Sequence, residues 1–84
     1  MNLNILTPEK EVFNGAITSV KVPGASGQFE ILANHAPLVS ALEKGNIRVI
    51  QAEGENLNFE VSGGFIEVLQ NEVSVLVGRI IEDE

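Results

Sequence analysis

His35 is the only histidine of this chain, and it sits in Asn34-His35-Ala36-Pro37, the one short stretch that combines a titratable ring with a conformationally fixed turn. An imidazole is the usual general base near neutral pH, but acid–base chemistry needs a second titratable group held beside it in a cleft. The single aspartate, Asp83, lies in the terminal run Glu82-Asp83-Glu84, which reads as a frayed tail, and the glutamates are scattered. None of the serines stands in a Gly-x-Ser-x-Gly turn. No catalytic residue is therefore assigned. One imidazole, no cysteine, and carboxylates such as Glu43, Glu53 and Glu55 that read as solvated loop or strand residues do not make a ligand set, so no metal is expected. Gly63-Gly64 and Gly24 to Gly27 lack the Gly-x-x-x-x-Gly-Lys pattern leading into a helix, so they read as backbone kinks and turns rather than phosphate cradles, and no cofactor is expected. His35 itself has two readings. Structurally it bonds backbone in a turn where Pro37 fixes φ and biases Ala36 toward an extended conformation. Functionally the same turn presents the ring for recognition at one end of a stiff scaffold.

The elements that must position these residues are strands. Apolar residues recur at period two, as in Leu3 and Ile5, Val20 and Val22, Ile47 and Val49, Leu57, Phe59 and Val61, and Val73, Val75 and Val77, with polar residues such as Lys21, Asn58 and Glu60 between them. Turn chemistry punctuates the chain at Thr7-Pro8, Asn14-Gly15, Pro23-Gly24, Lys44-Gly45-Asn46, Glu53-Gly54-Glu55-Asn56 and Gln70-Asn71. The expectation is an all-β fold, a small antiparallel β-sandwich or flattened barrel of about ten short strands, occupying residues 1–84 as one domain. Ile50, Phe65, Leu69 and Leu76 fall out of phase with the alternation. Either they form an exposed apolar patch, which on so small a domain marks a protein interface, or both faces of those strands are covered within the sandwich, or a bulge at Gly63-Gly64 resets the phase and turns Phe65 inward.

Composition removes several classes of partner. Twelve acidic residues against five basic ones give a net charge of −7, and Lys10, Lys21, Lys44, Arg48 and Arg79 are spread too thinly to form a phosphate-binding stripe, so nucleic acid is not an expected ligand. No apolar run approaches the roughly 20 residues needed to cross a bilayer, and Met1-Asn2-Leu3-Asn4 lacks the features of a signal peptide. The absence of cysteine suits a reducing compartment.

Specific blocks carry a resemblance. Gly27-Gln28-Phe29-Glu30-Ile31 followed by His35-Ala36-Pro37-Leu38, then Val61-Ser62-Gly63-Gly64, then Asn71-Glu72-Val73-Ser74-Val75-Leu76 resemble, in order and spacing, the first domain of the epsilon subunit of rotary ATP synthases. Glu30, Ala33 and Asn34 depart from that family's pattern, which runs Gly-acidic-hydrophobic-Gly-Ile and then Pro-Gly-His-Ala-Pro-Leu. The resemblance implies a non-catalytic central-stalk subunit at the cytoplasmic face of the bacterial membrane, gripping the gamma subunit on one side and the polar loops of the c-ring on the other. It carries ring contact onto Gly27, Gln28, Glu30 and His35, with the acidic charge displaced from Gln28 to Glu30 on one strand face. Contact with gamma is expected of the apolar set Ile50, Phe65, Leu69 and Leu76. Family members commonly continue into a helical hairpin that inhibits ATP hydrolysis, and with the sequence stopping at Glu84 the expectation is coupling and assembly without that regulation. The competing reading is a lipoyl- or biotinyl-type carrier domain with Lys44 of Leu42-Glu43-Lys44-Gly45 as the modified residue, against which the following glycine and asparagine read as an ordinary turn.

Overall fold

The computed structural model describes residues 1–81. The terminal run Glu82-Asp83-Glu84, including the only aspartate, lies outside the described residues. Eight strands account for the described fold: β1 (Asn2–Leu6), β2 (Glu11–Gly24), β3 (Gly27–Leu32), β4 (Leu38–Leu42), β5 (Gly45–Gln51), β6 (Asn56–Val61), β7 (Gly64–Leu69) and β8 (Glu72–Val77). They form one sheet in the order β1-β8-β7-β4-β2-β5-β6, with β3 on β2 and a further β1–β2 pairing that closes a ring. After β8 the chain reaches the other half, where Ile80 bridges Val61 and the Ile81 N–H donates to the Glu60 carbonyl at 2.7 Å.

The structure has eight strands against the expected ten or so, and one strand fewer follows from Asn14-Gly15, which does not turn. In β2, which runs 14 residues, Asn14 pairs with Asn4 of β1, and its side chain donates to Glu11 and accepts from Asn2. Those ladder and side-chain bonds override the local preference of an Asn-Gly pair for a turn. The first half of β2 pairs with β1, and its second half pairs with β5 on one edge and β3 on the other. The two halves differ in phase. An irregularity between Ile17 and Ser19 inserts Thr18, so that Ile17 and Val20, three residues apart, both point into the core. The pairing of β1 with β8 is parallel, the one exception to the antiparallel expectation.

Every buried hydrophobic residue is Leu, Ile or Val. Leu3 and Ile5 of β1, Val73 and Val75 of β8 and Ile66 and Val68 of β7 face Val20 and Val22 of β2, Ile31 of β3 and Ile47 and Val49 of β5 across one shared core. The period-two residues are the ones enclosed, although Leu57 and Phe59 pack only half-buried at its margin.

Gly63 and Gly64 are not a bulge that turns Phe65 inward. Gly63 takes a φ of +119° in the connection, and Gly64 opens β7, paired with Val77. A Cβ on Gly64 would overlap the Leu76 carbonyl oxygen and approach the Val77 Cα to 2.8 Å. Backbone cannot yield as a side chain tip can, so Gly64→Ala is expected to destabilise the fold by about 2–3 kcal/mol, read as a lowered urea midpoint with an unchanged slope.

Candidate functional site

Phe65 of β7 lies between Ala41 of β4 and Leu76 of β8, and Leu76 lies beside Leu6 of β1. Cross-strand partners share a face, so these four residues form a row across four strands. Its centre is open to solvent: Phe65 is 58% and Leu76 53% exposed. Val39, 71% exposed and two residues before Ala41 on β4, adjoins the row, and an open depression of about 190 Å³ lies between Val39, Phe65, Leu76 and Ser74. Leu69 shares the face at its other end, beside Glu72, and is 50% exposed.

Three of the four residues in the predicted apolar set, Phe65, Leu69 and Leu76, therefore share one face, although Glu67 separates Leu69 from Phe65 along β7. Ile50 does not. It sits half-buried on the outer face of the other half of the sheet, where it and Leu32 flank Ser19. Val39 was not singled out by sequence because Leu38 and Val39 are adjacent apolar residues, and alternation alone does not say which one faces the core.

The second set runs along β3, which bonds to β2 by one edge only among the described residues. Gly27, with φ +126°, begins the strand at the β2–β3 hairpin, Gln28 and Glu30 project from its outer face, and His35 lies in the turn beyond its far end. A strand of this length spans about 20 Å, so the four residues trace a rim rather than a compact cluster. The Glu30 carboxylate is 3.5 Å from Arg48 Nη2, with Lys21 between them in the sheet. Both partners are more than one-third exposed, so the pair is weak and open to exchange. The His35 ring is half-buried, its Nδ1 lying 2.8 Å from the Ala36 carbonyl, and its backbone N–H donates to Leu32 at 3.2 Å. Asn34 before it holds a φ of 67°, and its N–H donates to Asn71 Oδ1 of the β7–β8 turn at 2.7 Å.

An open groove of about 660 Å³ lies elsewhere, lined by Lys10, Phe59, Arg79 and Ile80 among others, and does not include His35. Among the described residues no three histidine or carboxylate groups come together as a metal-ligand set, and no helix is long and apolar enough to cross a membrane.

A sheet closed over one aliphatic core carries an open apolar face on one side and a polar strand rim on the other. The chain belongs to the family of the ATP synthase delta/epsilon chain β-sandwich domain, whose model matches residues 1–83. It is 44% identical over 78 residues to the ATP synthase epsilon chain of Protochlamydia amoebophila, covering 93% of this chain and 53% of that protein. It is 45% identical over 86 residues to the epsilon chain of Leptospira borgpetersenii, covering 99% and 66%. With the epsilon chain of Chlorobium limicola it is 42% identical over 74 residues, covering 88% and 84%. The chain thus spans little more than half of one relative and most of another. Its fold matches a chain in the cryo-EM structure of the Euglena gracilis mitochondrial ATP synthase (OSCP, F1 and c-ring, rotational state 1) with a TM-score of 0.85 at 19% identity, covering 94% of this chain and 51% of that one. A chain of the Tetrahymena thermophila mitochondrial ATP synthase central stalk and c-ring matches with a TM-score of 0.80 at 18% identity, covering 98% and 66%. At such identities the likeness is one of fold. Family membership leaves the carrier reading of Lys44 without support.

Because Phe65 and Leu76 lie outside the core, the double variant Phe65→Thr/Leu76→Thr is expected to stay folded and to lose less than about 1 kcal/mol in urea unfolding, since threonine keeps the strand preference. A loss several times larger would show that the face is part of the core.

Proposed function

We propose that this chain is a non-catalytic central-stalk subunit of a proton-translocating ATP synthase, seated at the cytoplasmic face of a bacterial membrane through the complex and coupling rotation to ATP synthesis. In this reading the β4-β7-β8 face grips the gamma subunit and the β3 rim with the His35 turn meets the polar loops of the c-ring. The observation that carries it is the row Ala41–Phe65–Leu76–Leu6 with Val39 beside it: adjacent large apolar side chains open to water on a domain of 84 residues call for a covering partner. Membership of the ATP synthase delta/epsilon chain family supports gamma as that partner.

The two surfaces divide the work. Apolar contact on the flat face provides most of the hold on gamma, whereas Gln28, Glu30 and His35 set orientation against the ring. Glu30 suits that task because its exposed pairing with Arg48 can be traded for a cation of the ring at little cost. The stiff aliphatic core between the surfaces lets torque pass without bending the domain.

Binding of the purified chain to gamma and to isolated c-rings tests both halves. Phe65→Asp and Leu76→Asp are expected to reduce gamma affinity at least tenfold, with circular dichroism unchanged. Glu30→Lys is expected to weaken ring attachment more at low salt than at high salt and to leave gamma binding near normal. A folded Leu76→Asp variant that still binds gamma refutes the face assignment, and equal loss of both partners in Glu30→Lys refutes the rim.

A further inference from the structure

We infer that Asn71 is a positioning residue for the His35 turn, which it holds through a reciprocal clasp with Asn34; the inference rests on the reading of that turn as a ring contact. Residues 33–37 link β3 to β4 and belong to neither strand. The His35 N–H bond to Leu32 and the imidazole contact with Ala36 are local and tie the turn only to itself. Among the described residues, the hydrogen bonds that fasten this turn to another segment all run to Asn71, 37 positions away from Asn34.

The clasp has a fixed sense. The Asn34 backbone N–H needs an acceptor and finds Asn71 Oδ1 at 2.7 Å, which sets the orientation of that amide. Its Nδ2 then points at Asn34 Oδ1, 3.2 Å away, and donates back. Asn71 is itself held, because its carbonyl accepts from the Asn2 N–H at 2.9 Å where β1 begins. One residue therefore joins the β7–β8 turn, the start of β1 and the His35 turn at the same end of the molecule.

Turn geometry alone does not explain the asparagine. Gln70 and Asn71 have φ values of 52° and 65° between the paired Leu69 and Glu72, the pattern of a two-residue type I′ hairpin, and glycine serves that conformation at least as well. Asn34, with φ 67°, is equally replaceable by glycine on backbone grounds. What glycine cannot supply at position 71 is the amide. Without it the His35 turn samples other arrangements, and apparent affinity for anything that reads the turn falls in proportion to the fraction correctly placed.

Asn71→Gly separates the two roles, since it keeps the hairpin and deletes the clasp. In the 84-residue chain, amide hydrogen exchange is expected to accelerate at Asn34 and His35 and to stay slow at the core positions Val73 and Val75. Affinity for isolated c-rings is expected to fall about tenfold while gamma affinity is unchanged. Asn34→Gly keeps the backbone N–H bond and is expected to lose less, and the double variant should be no worse than Asn71→Gly alone, because both changes remove one interaction. Ring binding by Asn71→Gly equal to the unmodified chain, with His35→Ala impaired, overturns the clasp's role and leaves the ring contact standing. Full ring binding by both variants overturns the ring contact and the inference with it. Parallel loss of ring and gamma binding by Asn71→Gly also overturns the inference, since it would mean a general structural defect.

Discussion

Strand β2 belongs to both halves of the molecule, and the closure of the sheet follows from that. Its first half bonds to β1, its second half to β3 and β5, and at Gly24 it touches β4, so the ladder runs round through β1, β8 and β7 and returns. A strand that must serve two halves has to change which residues point inward, and the extra residue at Thr18 makes that change without breaking the hydrogen bonding on either side. With the ring closed, few edges remain to be protected. The rim of β3 and the outer edge of β6 are the principal ones, and the segment from Arg79 to Ile81 partly covers the latter.

Enclosure by backbone ladders lets the core be plain. Leu, Ile and Val fill it, interdigitating from opposite faces, with the phenylalanines at its margin or outside. Such side chains have few rotamers and no polar atoms to satisfy, which favours a single well-defined packing. The chemistry that distinguishes the protein is accordingly on the outside: an apolar face on one half, a charged row of Glu30, Lys21 and Arg48 on the other, and an amide-pinned turn at one end.

Much of this was legible in the sequence, because burial on one face leaves a period-two record. Alternation alone places Leu3, Ile5, Val73 and Val75 in the core, whereas the off-phase positions of Phe65, Leu69 and Leu76 leave an outward apolar face and a turn inward equally open, and the structure shows the first. Alternation gives a face but not a layer, so it cannot separate Ile50 from residues that lie on the other half of the sheet. It also cannot separate neighbours of the same character, which hid Val39 beside Leu38. Asn14-Gly15 misleads for a different reason: its turn preference is local, and the opposing ladder bonds come from Asn4 and Leu3 of β1, ten and twelve residues earlier in the chain. The Asn34–Asn71 contact had no sequence signature beyond two asparagines in two separate turns, since nothing local reports that those turns meet.

The parallel register of β1 and β8 has a mechanical corollary. Asn2 lies beside Glu72 and Leu6 beside Leu76, so the entry to β1 and the exit from β8 are at opposite ends of one paired ribbon. A force that draws those two points apart loads all of the interstrand bonds between them in shear at once, where a hairpin pulled from its open end would yield them one at a time like a zipper. A domain wired in this way resists being stretched along that axis far better than its modest size would suggest.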